Sequence, residues 1–128
     1  MSIAPLLDQG QTMPDPQGHS IGFFDTKAEC DDFIKELNAA GFSDTSITIL
    51  SGVGGIELLN RMMSGSLWGE SVEDVLKQGT IELSNGHFVL TIESSDRDQA
   101  LTIAKVSEKH GGHGFYFFGV LTDERLTR

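Results

Sequence analysis

His87, His110 and His113 are the residues whose types and spacing lend themselves most readily to chemistry. Imidazole nitrogens bind Zn²⁺ and other transition metals, and a carboxylate such as Asp25 would add an oxygen ligand. The spacing matches no established metal motif, and nothing like His-Glu-x-x-His is present. His110 and His113 flank Gly111 and Gly112, and two ligands on a Gly-Gly turn make a weak site by themselves. The plainer expectation is that His110 ends a helix and His113 sits in a turn, each making hydrogen bonds. On that expectation the chain holds no metal and no other cofactor. A weak metal site at His87, His110 and His113 stands as the alternative.

Two other segments invite a chemical reading. Ser51-Gly52-Val53-Gly54-Gly55 offers backbone amides to a phosphate. It lacks the G-x-G-x-x-G and P-loop spacings, and no lysine follows, so a flexible connector is expected. Cys30 falls near the start of a helix, where the dipole favours a thiolate. Glu29, Asp31 and Asp32 adjoin it and oppose that effect, so an inert, partly packed thiol is expected. No nucleophile elbow or paired-carboxylate spacing emerges, and the reading is a protein that is not an enzyme.

Composition narrows the partners. The chain has 128 residues, enough for one domain, and 9 basic against 19 acidic residues give a net charge of -10. The basic residues are scattered, so nucleic acid and anionic membrane surfaces are poor partners. A single cysteine permits no intrachain disulfide and fits a reducing compartment. No signal-peptide pattern and no run of roughly 20 apolar residues is present, so a cytoplasmic location is expected.

The elements that must position these residues form a pattern that occurs twice. Ser20–Phe24, Thr26–Ala40, Gly41 and Ser46–Leu50 read as strand, helix, stop and strand. His87–Glu93, Asp96–Lys109, Gly111–Gly112 and Phe115–Val120 repeat the grammar. Thr26 with Glu29 predicts a capping box, and Ser95 with Asp98 predicts a second. Two split β-α-β units predict an α+β fold, a ferredoxin-like two-layer sandwich with strand order 4-1-3-2. Pro5, Pro14 and Pro16 mark residues 1–17 as a flexible leader, and 18–128 as the domain. Residues 51–86 form a helical insertion between the second and third strands, with one helix over about Ile56–Met63 and another from about Ser71. Thr80–Leu83 is assigned to this second helix; a strand turning at Asn85-Gly86 is the rival assignment.

The run Phe23-Phe24-Asp25-Thr26, Leu37-Asn38-Ala39-Ala40-Gly41-Phe42 and Ser46-Ile47-Thr48-Ile49-Leu50 resembles the opening unit of the bacterial general-stress-protein-like domains. Asn85-Gly86-His87-Phe88-Val89-Leu90, His110-Gly111-Gly112-His113 and Tyr116-Phe117-Phe118-Gly119 are similar to the second unit. The resemblance implies a small ferredoxin-like module whose halves are separated by helices, with a stress-related role. It implies no catalytic residues.

Alternation along the strands divides the sheet into two faces. Ile21, Phe23, Ile47, Ile49, Phe88, Leu90, Ile92, Phe115 and Phe117 are assigned to the face under the crossover helices. Phe24, Thr48, Val89, Thr91, Tyr116, Phe118 and Val120 then lie on the other face, which is too apolar to be solvated. Its cover is expected to be the inserted helices with Met62, Met63, Leu67 and Trp68, or a second copy of the chain. The favoured reading is an interaction or regulatory module that forms a homodimer through this open face. A small-ligand sensor or enzyme is the alternative, with a pocket between sheet and insertion rimmed by His87, His113, Asp25, Trp68 and Tyr116. The three histidines would share one end of the sheet with Asp25 and Ser51. The strands bearing His87 and His113 flank the first strand, about 10 Å apart, so these two meet only if their side chains lean inward.

Overall fold

A computed structural model describes residues 18–64, 70–119 and 123–127 of the chain. The expected leader, Leu67, Trp68 and Val120 lie outside the described residues, as does the side chain of Met62. The elements in order are β1 (His19–Phe24), α1 (Lys27–Ala39), a 3-10 turn (Asp44–Ser46), β2 (Ile47–Leu50), α2 (Gly52–Ser64) and α3 (Glu70–Ser84). There follow β3 (Phe88–Glu93), α4 (Arg97–Lys109), β4 (His113–Phe118) and β5 (Asp123–Arg125). The fold is α+β, and every strand pairing is antiparallel. No helix among the described residues is long and apolar enough to cross a membrane.

Local chemistry accounts for the helix ends. Thr26 caps α1: its hydroxyl accepts from the Glu29 amide at 3.1 Å, while the Glu29 carboxylate accepts from the Thr26 amide at 3.2 Å. The cap of α4 falls one residue later than expected. Asp96, not Ser95, accepts from the Gln99 amide at 2.9 Å, and the Gln99 side chain takes the Ser95 amide at 2.8 Å. The Ser51–Gly55 segment is also different from its expected form. Its glycines make the first turn of α2, with the Gly55 amide donating to Ser51 at 3.1 Å, so it is helix rather than a flexible connector. Thr80–Leu83 is helical, within α3.

The sheet runs β2-β3-β1-β4-β5. It differs from the four-stranded arrangement expected in carrying β5 outside β4. Helices α1 and α4 pack on one face, where Cys30, Phe33, Ile34, Leu37, Ile103 and Val106 meet Phe24, Ile47, Ile49, Leu90, Ile92 and Phe115. The inserted α2 and α3 pack on the other, where Leu58, Leu59, Val72, Val75, Leu76 and Leu83 meet Ile21, Phe23, Leu50, Val89 and Phe118. Gly79 lets the two inserted helices close up, since an added Cβ would stand 2.8 Å from Leu59. Val89, Thr91 and Phe118 are consequently buried, and Tyr116 is half-buried against the same cluster. Of the two covers expected for this face, a second copy and the inserted helices, the structure shows the helices, so the face is not open for the self-association that was favoured.

Strand β1 faces the opposite way from the expected assignment. Phe24 lies under α1 and α4, while Ile21 and Phe23 lie under α2 and α3. The reason is Gly22. On the α1/α4 face β1 presents Ser20, Gly22 and Phe24, and the ring of Phe115 fills the space over Gly22. The volume missing from β1 is supplied by β4, so the strand's own pattern conceals its apolar side. An added Cβ on Gly22 would fall 2.1 Å from two ring carbons of Phe115, itself fully buried. Gly22→Ala is therefore expected to destabilise the fold by about 3 kcal/mol, the upper part of the range for overpacked cores. Chemical denaturation checks this, and Gly22→Ala combined with Phe115→Leu should recover part of the loss.

Candidate metal centre

Two helix stops of the same design deliver two histidines to one end of the sheet. Helix α3 ends in a Schellman motif: Gly86 has φ +82°, its amide donates to Leu83 at 3.0 Å, and the His87 amide donates to the Glu82 carbonyl at 2.9 Å. Helix α4 ends likewise at Gly111, φ +85°, with the Gly112 amide on the Ser107 carbonyl at 2.8 Å. His87 then leads into β3 and His113 begins β4. Both strands run antiparallel to β1, with Phe24 opposite Phe88 and Phe23 opposite His113. Asp25, the residue after β1, stands between them.

Both imidazoles lean inward. His113 Nε2 lies 3.1 Å from Asp25 Oδ1, and His87 Nδ1 lies 3.3 Å from the same oxygen. A fourth group closes the arrangement from above. Glu82, on the last turn of α3, places Oε1 2.9 Å from His87 Nδ1 and 3.7 Å from His113 Nε2. Its other oxygen accepts from Gln78 Nε2 at 2.8 Å. Only 9% of the Glu82 side chain is exposed, against 54% for Asp25, so the cluster has a buried wall and an open one.

The coordinating atoms of Asp25, Glu82 and His113 all lie within 4.8 Å of one another. Ligand atoms around a tetrahedral Zn²⁺ with bonds near 2.0–2.1 Å are about 3.3 Å apart, so the contacts of 2.9–3.7 Å are already near coordination spacing. His87 touches both carboxylates of this trio and is placed to orient them or to join them as a ligand. Two carboxylates with imidazole suit Zn²⁺, Mn²⁺ or Fe²⁺, and the absence of sulfur from the set disfavours Cu⁺.

His110 is not part of the cluster. It caps α4 on the side facing α1, where its Nε2 lies 2.8 Å from Glu36 Oε1 and Lys109 Nζ lies 2.6 Å from Glu36 Oε2. These two hydrogen bonds, Lys109 first, hold the Glu36 carboxyl below its ordinary range. Of the three histidines in the alternative metal set, the structure brings two together, while His110 ends α4 as the plainer reading expected. Glu82 was missed by sequence reasoning. Its signal was the Asn85-Gly86 stop: in a Schellman motif the residues five apart across the stop come together, here Glu82 and His87.

The remaining sequence candidates that the structure describes are not members of this cluster. Tyr116 stacks with Phe118 at 4.9 Å between ring centroids and lies beneath the Arg125 guanidinium. Phe24, Val89, Thr91 and Phe118 are buried sheet residues. Cys30 is fully buried, and burial, reinforced by Asp31, pushes its thiol up to about 12, so it is inert as a nucleophile. A cleft of about 310 Å³ opens beside the cluster, lined by Phe23, Asp74, Val75, Gln78, His113, Gly114 and Arg125. A larger one, about 460 Å³, lies at the opposite end of the sheet around Gly18, Ser94 and Gln99, away from the histidines. No protein-family model, curated protein or solved structure matches this chain.

The hydrogen bond to Glu82 holds His87 above the ordinary imidazole value of 6.5, with Asp25 adding to the effect and burial opposing it. A raised value favours the protonated ring in the folded chain. The pair therefore contributes stability below pH 6.5 and loses it as pH rises through the raised midpoint. NMR titration of metal-free protein should place the His87 midpoint above 6.5, and Glu82→Gln should bring it down.

Proposed function

We propose that the protein binds a divalent transition-metal ion through Asp25, Glu82 and His113, with His87 supporting the two carboxylates. The observation that carries the reading is the convergence of these four side chains from α3 and the ends of three strands, with contacts of 2.9–3.7 Å. Structural metal sites are closed by four protein ligands, whereas sites with three leave a position for water or another ligand. This trio borders a cleft through His113, so the ion would be reachable by a small molecule. We read the scaffold as a ferredoxin-like sandwich in which the insertion supplies the fourth wall of the site. The interaction-module reading rested on an open apolar sheet face. With that face under α2 and α3, metal binding is the reading with a site behind it.

Calorimetric titration of Zn²⁺ into metal-free protein is expected to show one ion per chain. His113→Ala and Asp25→Asn should each abolish the heat of binding. His87→Ala should weaken affinity about 10–100-fold, as loss of an orienting partner does. His110→Ala should leave binding unchanged, because His110 is engaged with Glu36. Heat indistinguishable from dilution in the unaltered protein rejects the reading.

A further inference from the structure

We infer that the cleft beside His113 is a subsite for a small monocarboxylate ligand that completes the metal's coordination, with Arg125 receiving the carboxylate. The inference rests on the metal reading above and names what the ion would bind. Its basis is that one concavity of about 310 Å³ is lined both by His113, the histidine proposed as a ligand, and by Arg125. That volume is at the small end of ligand pockets. His113 opens β4, and Arg125 on β5 pairs in register with Tyr116 of β4, so two adjacent strands position both residues that line the cleft. The guanidinium is held 5.5 Å over the Tyr116 ring, an arrangement that orients it without consuming its hydrogen-bond donors.

Charge selects the ligand class. A dication held by two carboxylates and neutral imidazole has no net charge left to attract an anion, so the positive group that recognises a carboxylate is Arg125. Asp74 lines the same cleft and disfavours a second carboxylate there. The fitting ligand therefore carries one carboxylate for Arg125 and, at its other end, a neutral or soft donor for the metal. Gln78, fixed by its hydrogen bond to Glu82, also lines the cleft and adds a polar contact.

Co²⁺ in place of Zn²⁺ gives a visible spectrum that reports both steps. The full-length protein is loaded with Co²⁺ and titrated with thioglycolate, mercaptopropionate and mercaptobutyrate, each compared with the corresponding mercaptoalcohol. The thiolate–Co²⁺ charge-transfer band measures occupancy of the open position. The inference predicts that at least one acid binds about tenfold tighter than its alcohol, as expected for a charge-assisted hydrogen bond. Arg125→Gln should erase that preference while leaving Co²⁺ uptake and alcohol binding unchanged. If Co²⁺ is taken up but acids and alcohols bind alike, or Arg125→Gln keeps the preference, this inference fails and the metal site stands. If Co²⁺ is not taken up, the metal reading fails and the subsite with it.

Discussion

The Glu82 carboxylate sits against the end of the sheet with most of its surface out of water, and a carboxylate so placed needs partners. It has them in His87 at 2.9 Å, Gln78 at 2.8 Å and the more distant His113. What puts it there is the packing of α3. Val72, Val75, Leu76 and Leu83 follow helical spacing and bury one stripe against the sheet, each fully buried side chain contributing about 1.5–3 kcal/mol. Glu82 is next to Leu83 on that helix, so the apolar contact that seats α3 also aims the carboxylate over Asp25, His87 and His113. The polar cluster is thus a consequence of how the hydrophobic face is covered.

The same packing changes what the second sheet face is for. An uncovered surface carrying Val89, Phe118 and Tyr116 would call for a partner. Under α2 and α3 it becomes a second core, and the proposed metal site lies at the sheet's end instead. There a buried carboxylate, an exposed one and two imidazoles stand within a few ångströms. Without metal, the histidines satisfy the carboxylates by hydrogen bonds. A bound ion would take lone pairs of these same side chains in place of the hydrogen bonds between them.

Local signals in the sequence were dependable where one residue sets the geometry. Thr26 with Glu29, and the glycines at 41, 86 and 111, specify helix ends through hydrogen bonds a few residues long, and they are read without knowing the fold. Facing was harder. In β1 both Phe23 and Phe24 are apolar, and the deciding residue is Gly22, whose missing side chain is replaced by Phe115 from 93 positions away. Strand β5 was invisible because Asp123-Glu124-Arg125 has no apolar alternation; backbone pairing to the edge of β4 makes it a strand. At the site, topology placed His87 and His113 at one end of the sheet with a strand between them; that both imidazoles lean inward onto Asp25 came only with the side-chain geometry. Glu82 depended on where the insertion would lie, and His110 on which side of a helix end it would project.

The most direct test is a crystal structure of the protein grown with Zn²⁺, with data collected on either side of the zinc absorption edge. The account predicts one anomalous peak at about 2.0–2.2 Å from oxygens of Asp25 and Glu82 and from Nε2 of His113, with Glu82 still on the last turn of α3. A peak only at another position, such as beside Glu36 and His110, or no peak at all, would contradict it.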